Sequence, residues 1–208
     1  MDDDDLLEEH RQGLRDSLRW FSNAKKKERE IWVCQQFLQN LGVAFDFAEL
    51  IPVEDQVPDV LFREARFEVK EILNPGRRRT DEYKEDLRRA EQASSSEELW
   101  EYFTPEDLTP EMIVNDIGGR ISDWAAMYEP RFRSTLDLLV YYNRVGMFFK
   151  ETHHTPQAAF LGEYGFRSVS MTTGSRAWVL WAGLSSPDLI TSLAGSIRSQ
   201  RRRKGRGA

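Results

Sequence analysis

Two short apolar runs, Val60-Leu61-Phe62 and Phe67-Glu68-Val69, flank the short, mostly polar segment Arg63-Glu64-Ala65-Arg66. Strand-forming residues on both sides of so brief a break predict a hairpin. This hairpin constrains the chain more than any other stretch, because it decides which side chains share a face. Side chains alternate along a strand, so Glu68 and Lys70 point one way while Phe67 and Val69 point the other. Pro58-Asp59 opens the first strand, and pairing brings Asp59 towards Lys70 and its neighbours. An acid-x-lysine triplet alone says little. Glu82-Tyr83-Lys84 repeats it in a segment that reads as helix, and Pro187-Asp188 is a second Pro-Asp with no such strand after it. The hairpin is what sets the first set apart.

Two acids and a lysine in that arrangement suit the hydrolysis of a phosphodiester. A nucleophile must reach an already anionic phosphorus, and the leaving oxygen must be stabilised. Magnesium takes oxygen ligands, commonly one or two carboxylates with several waters and a substrate phosphate. Asp59 and Glu68 are candidates for those carboxylates, with manganese as the alternative ion. A bound ion lowers the pKa of its water and neutralises charge during in-line displacement. Lys70 offers a point charge on a long stem, suited to holding the attacking water and facing the phosphate.

Asp59 and Glu68-Val69-Lys70, preceded by an expected helix over 24–41 and strand over 43–50, resemble the PD-(D/E)XK nuclease superfamily. The chain as a whole resembles a pseudomonad family of uncharacterised proteins described only as endonucleases. The superfamily resemblance covers roughly residues 24–73, with a looser match to a later helix and strand. It implies an α/β fold, a restriction-endonuclease-like mixed central sheet flanked by helices, with the metal site on the second and third strands. It also implies roles: Asp59 and Glu68 as metal ligands, and Lys70 as water-positioning base or electrostatic stabiliser. Many such enzymes carry another acid on the first core helix. Glu28 and Glu30 are both available, and Glu30 lies nearer the apolar stretch that should face the sheet. Either one also fits a charged first helical turn. The resemblance further implies a nucleic-acid substrate, with DNA preferred, and a homodimer as a common working form.

Charge is unevenly spread. The net charge is −6 and the pI about 5.3, unlike a dedicated basic nucleic-acid binder. Arg198, Arg201, Arg202, Arg203, Lys204 and Arg206 crowd the end, and removing those six charges from −6 leaves −12 on the remainder. A basic tail over 198–208 suits either a phosphate-contacting arm or a solvated end. Arg77, Arg78 and Arg79 directly follow the motif strand, beside the expected metal site, and are candidates for holding a nucleic-acid backbone. Composition points to a packed soluble domain, with 40% hydrophobic and 31% charged residues. No apolar run approaches the roughly eighteen residues of a membrane span. An acidic start, Met1 to Asp5, is the opposite of a secretory leader. The one cysteine, Cys34, rules out an internal disulfide and fits a small core residue. A cytoplasmic setting is the expectation.

The expected organisation is an acidic N-terminal helix within 1–22, a nuclease-like domain over 23–197, and the basic tail. An insertion at about 80–112 is expected to hold two or three short helices facing solvent or a protein partner. Residues 111–128 read as helix, with Gly118-Gly119 allowing close packing against a strand or marking a kink. Segments 134–142 and 176–183 read as buried strands, and 187–199 as a last helix. His153-His154 lacks an acid cluster, and Trp178 and Trp181 read as core more readily than as base-stacking platforms. Two rival functions fit the same residues. One is a nuclease fold that binds without catalysis, and the other an acidic interaction protein docking through its tail.

Overall fold

The computed structural model of the chain describes residues 2–54, 57–100, 104–150 and 156–199. His153-His154 and the tail beyond Ser199 lie outside the described residues. The first helix, α1 (Asp3–Trp20), starts where the acidic run predicts: Asp2 accepts a hydrogen bond from the Asp5 amide at 2.8 Å, and Asp3 to Asp5 occupy the first turn. Acids there face the positive end of the helix dipole. A 3-10 turn at Asn23–Lys25 leads into α2 (Lys26–Leu41). Gly42 ends α2 in the left-handed region (φ 77°), where a Cβ would be strained. The buried stripe of α2 is Val33, Cys34, Phe37, Leu38 and Leu41.

The expected strand over 43–50 forms only at its end, as β1 (Leu50–Pro52). Asp46 and Glu49 instead make a reciprocal cap around a 3-10 turn, each side chain accepting a backbone N–H, and Arg63 pairs with Glu49. Local side-chain hydrogen bonds thus outcompete the alternating pattern. The motif hairpin forms as predicted: β2 (Val60–Phe62) and β3 (Ala65–Ile72) pair antiparallel, with Val60 opposite Phe67 and Phe62 opposite Ala65. A two-residue turn joins them, with Arg63 at φ 51°.

Beyond the hairpin come α3 (Arg79–Gln92), β4 (Glu106–Leu108), α4 (Pro110–Ala126), α5 (Pro130–Arg133) and β5 (Asp137–Tyr142). The chain continues through β6 (Met147–Phe149), β7 (Ser168–Thr172), β8 (Arg176–Ala182), α6 (Asp188–Thr191) and β9 (Ile197–Ser199). Seven strands make one mixed sheet in the order β1-β2-β3-β5-β7-β8-β9. The β3-β5-β7 centre is parallel and both flanks are antiparallel. Helix α2 covers one face, packing Cys34, Phe37 and Leu38 with Phe62, Phe67 and Val179. Helix α4 covers the other, packing Ile113, Ile117 and Ile121 with Leu138, Val140 and Met171. Burying each such side chain contributes about 1.5–3 kcal/mol. Truncating fully buried Phe37 to alanine should cost about 3–5 kcal/mol.

Asp137, almost fully buried, ties the centre of the sheet together. It accepts the Arg66 amide at 2.8 Å and the Ser168 hydroxyl at 2.8 Å, and it pairs with Arg167. Three parallel strands are thereby held at their starts.

The 80–112 segment differs from the expected two or three solvent-facing helices. Its described residues hold one longer helix, α3, a 3-10 turn at Ser96–Leu99, and β4, which pairs with β6. Helix α3 is docked on α1: Tyr83 stacks on Phe21 with ring centroids 5.5 Å apart, and Arg11 bonds the Ala90 and Ala93 carbonyls. The last segment also departs from expectation, with only α6 helical before a turn and edge strand β9. Gly118 packs closely, but against the Phe160 ring, where a Cβ would come within 3.0 Å.

Candidate active site

Strand β2 begins immediately after Asp59, and β3 carries Glu68 and Lys70 in its middle. Antiparallel pairing brings the two together. Asp59 Oδ2 accepts the Val69 amide at 2.9 Å, locking the first acid onto the strand that bears the second. Glu68 Oε1 accepts from the Lys70 ammonium at 2.7 Å. Helix α2 adds Glu30, which points at the same place. Glu28 is exposed and paired with Lys25 at 2.6 Å, so of the two helix acids the fold brings only Glu30 to the cluster.

All three carboxylates are withdrawn from water, Glu30 at 5%, Asp59 at 6% and Glu68 at 4% exposure. Burial pushes the Asp59 carboxyl above its ordinary range, against the downward pull of the Val69 amide, and the neighbouring Glu30 carboxylate raises it further. Lys27 approaches Glu30 at 3.4 Å and Asp59 at 3.9 Å, and Lys26 approaches Glu30 at 3.3 Å. Glu30 Oε2 and Glu68 Oε2 nevertheless accept no hydrogen bond among the described residues. A buried, unsatisfied oxygen costs about 1–3 kcal/mol, more when charged. A divalent cation at this place would relieve both oxygens and the repulsion between the acids.

Tyr128, just beyond α4, completes the cluster. Its hydroxyl donates to Glu68 Oε1 at 2.6 Å, and the Lys70 ammonium lies 5.5 Å from its ring centroid. Burial first, and then the hydrogen bond to Glu68, push the phenol pKa far up, so the hydroxyl stays a donor. Sequence reasoning missed this residue. A tyrosine at a helix end carries no signal, since only the crossover from β3 to β5 brings α4 over Glu68.

The three arginines after β3 separate. Arg77 pairs with Glu82 and Arg79 with Glu71, both largely buried as side chains. Arg78 is exposed and makes no side-chain hydrogen bond or ion pair among the described residues. Trp178 is core at 1% exposure, and Trp181 lies over Gly162.

Among the described residues, no three acid, histidine or cysteine side chains close into a ready-made metal cage. Magnesium needs none, because it retains waters and takes substrate oxygens. The donors present are carboxylate oxygens, two of them without a hydrogen bond among the described residues, which fits a hard divalent cation.

A family described as "Putative endonuclease, protein of unknown function (DUF1780)" matches residues 2–202. The chain belongs to the DUF1780 family. It is also similar in structure to a protein of unknown function from Pseudomonas aeruginosa strain PAO1, described as of the monooxygenase superfamily. The two share 25% identity over 96% of each chain, with a TM-score of 0.66. No curated protein matches. This DUF1780 chain has the mixed α/β fold described above, and none of its described helices is long and apolar enough to cross a membrane.

Proposed function

We propose that this DUF1780 protein is a metal-dependent nuclease of the PD-(D/E)XK type that hydrolyses phosphodiester bonds, with DNA as the preferred substrate. The observation that carries the reading is the convergence of buried Glu30, Asp59 and Glu68 with Lys70, with two carboxylate oxygens that accept no hydrogen bond among the described residues. The order of elements supports it too. Helix α2, the meander β1-β2-β3, crossover helix α4 and parallel strand β5 follow the arrangement that the superfamily resemblance implies.

Asp59 and Glu68 would hold magnesium or manganese, with Glu30 beside them. When bound, the ion supplies positive charge at the phosphate and a water of lowered pKa. Lys70 holds the attacking water in line and faces its ammonium to the phosphoryl oxygens, where negative charge builds. Tyr128 keeps Glu68 in one orientation by donating to it, and the Val69 amide does the same for Asp59. Arg78 is the arginine of the Arg77-Arg78-Arg79 run left available to a phosphate of the strand, and a homodimer would let two sites address two strands.

The monooxygenase description belongs to the Pseudomonas neighbour. The carboxylate-only cluster here favours a hard, oxygen-binding ion over the two-histidine, one-carboxylate set of non-haem iron oxygenases. The test is cleavage of single-stranded, duplex and flapped DNA, and of RNA, with magnesium or manganese. Wild type should cut at least one substrate, chelator should stop it, and Asp59→Ala and Lys70→Met should each lower the rate at least 100-fold. An inert wild type, or an Asp59→Ala variant of undiminished rate, would overturn the reading.

A further inference from the structure

A cleft of about 190 Å³ opens beside the carboxylate cluster, between the end of α1, helix α2 and strands β3 and β5. It shares Glu30 and Lys70 with the cluster. Aromatic side chains make its walls. Trp20, Trp32 and Tyr141 line it, each only half-buried, and Trp32 meets Tyr141 edge to face with centroids 5.5 Å apart. Phe21 also lines it but is already stacked by Tyr83 and by Arg79, whose guanidinium lies 4.0 Å from the ring centroid.

The rim carries four cations, Lys26, Arg29, Lys70 and Arg79, against two carboxylates, Glu30 and Glu71. Two of these cations build the cleft. Arg29 holds the Trp20 and Ser22 carbonyls at 2.6 and 2.7 Å, fastening the end of α1 to α2, and Arg79 is paired with Glu71. Lys26 stands at the edge with its side chain 63% exposed and its ammonium 3.3 Å from Glu30. An aromatic slot with a net positive rim, opening onto a phosphodiesterase site, matches a flat ring joined to a phosphate.

We propose that this cleft takes an unpaired nucleobase of the substrate strand, next to the phosphate being cleaved. The inference rests on the nuclease reading and narrows its substrate to single-stranded or locally unpaired nucleic acid. A base inside a duplex remains stacked and must be extruded before a pocket can receive it. Aromatic platforms accept any base, because every base has a π-face, so the cleft selects for strandedness and not for sequence.

Binding tests this without requiring cleavage. Two end-labelled strands of equal length, oligothymidylate and its abasic counterpart, are titrated by fluorescence anisotropy in chelator at one salt concentration. Wild type should bind the thymidylate strand about tenfold more tightly, the fold-change of stacking one base at about 1.4 kcal/mol. Trp32→Ala should bring that ratio towards one while affinity for the abasic strand holds. Trp20→Ser does the same if the first variant is poorly folded. Trp100→Ala, at an exposed indole outside the cleft, should leave the ratio unchanged. Equal affinities in wild type, no binding of either strand, or a ratio that survives both substitutions would overturn the proposal. Displacement by thymidine monophosphate at concentrations matching the strand's own affinity would also overturn it, in favour of a free nucleotide. Adding magnesium or manganese to the same samples separates the two readings. Cleavage with equal affinities refutes the cleft alone, and a base preference without cleavage refutes the nuclease alone.

Discussion

Replacing Tyr128 with phenylalanine removes one oxygen from the cluster and little else. The ring keeps its edge contact with Phe166, at 6.2 Å between centroids, and its place beneath the Lys70 ammonium. What goes is the donor to Glu68 Oε1 at 2.6 Å. Among the described residues Glu68 then keeps only Lys70 on that oxygen, while its other oxygen already lacks a hydrogen bond. A hydrogen bond to a charged group contributes about 1.5–3 kcal/mol. Because Tyr128 is only partly buried, the lower end applies, and for a chain of this length that is a fall of about 3–6 °C in melting temperature. The functional effect should be larger in proportion. Partners that orient a metal ligand typically change metal affinity or activity by about 10–100-fold. Calorimetric titration with magnesium or manganese, on wild type and Tyr128→Phe, reads the affinity, and metal-dependent cleavage reads the rate. A purely structural hydroxyl would shift the melting temperature and leave metal affinity alone. If the folded variant binds metal and cleaves as wild type does, while Glu68→Gln loses both, then Lys70 alone orients Glu68 and the argument fails.

Asp59→Asn should raise the melting temperature of the metal-free protein by about 2–4 °C, since it removes a buried charge facing Glu30 while the amide oxygen can still accept from Val69; differential scanning calorimetry should also show divalent ions no longer stabilising the variant. Arg63 and the Asp46 amide hold the Glu49 carboxyl below its ordinary range. A carboxyl depressed in the folded state contributes stability above its unfolded pKa and loses it as pH falls through the folded one. The small advantage of wild type over Glu49→Gln should therefore be present at neutral pH and vanish in acid, and a constant difference across that range would count against it.

Much of the local structure was legible in the residues. The helix over 24–41 and its glycine stop, the motif hairpin and the strands near 137–142 and 176–182 follow from periodicity and turn chemistry. The pattern misled at 43–50, where Asp46 and Glu49 close on each other's backbone amides, and at 187–199, where a helical start gives way to an edge strand. Neither outcome is visible in hydrophobic spacing, because one is decided by side-chain capping and the other by the free edge of β8.

The site divides in the same way. Alternation along one strand is a local property, so Glu68 and Lys70 were bound to share a face as soon as their residues were read. A two-residue turn then carries Asp59 to the Val69 amide over a separation of ten residues. Which helix acid joins them, and that Tyr128 grips Glu68 across sixty residues, depends on how α2 and α4 pack on opposite faces of the sheet. The aromatic cleft is more remote still, since Trp20, Trp32 and Tyr141 meet only after α1 docks beside α2. Spacing along the chain settles what backbone geometry alone can align, whereas contacts between separately formed elements wait on the burial of their apolar faces.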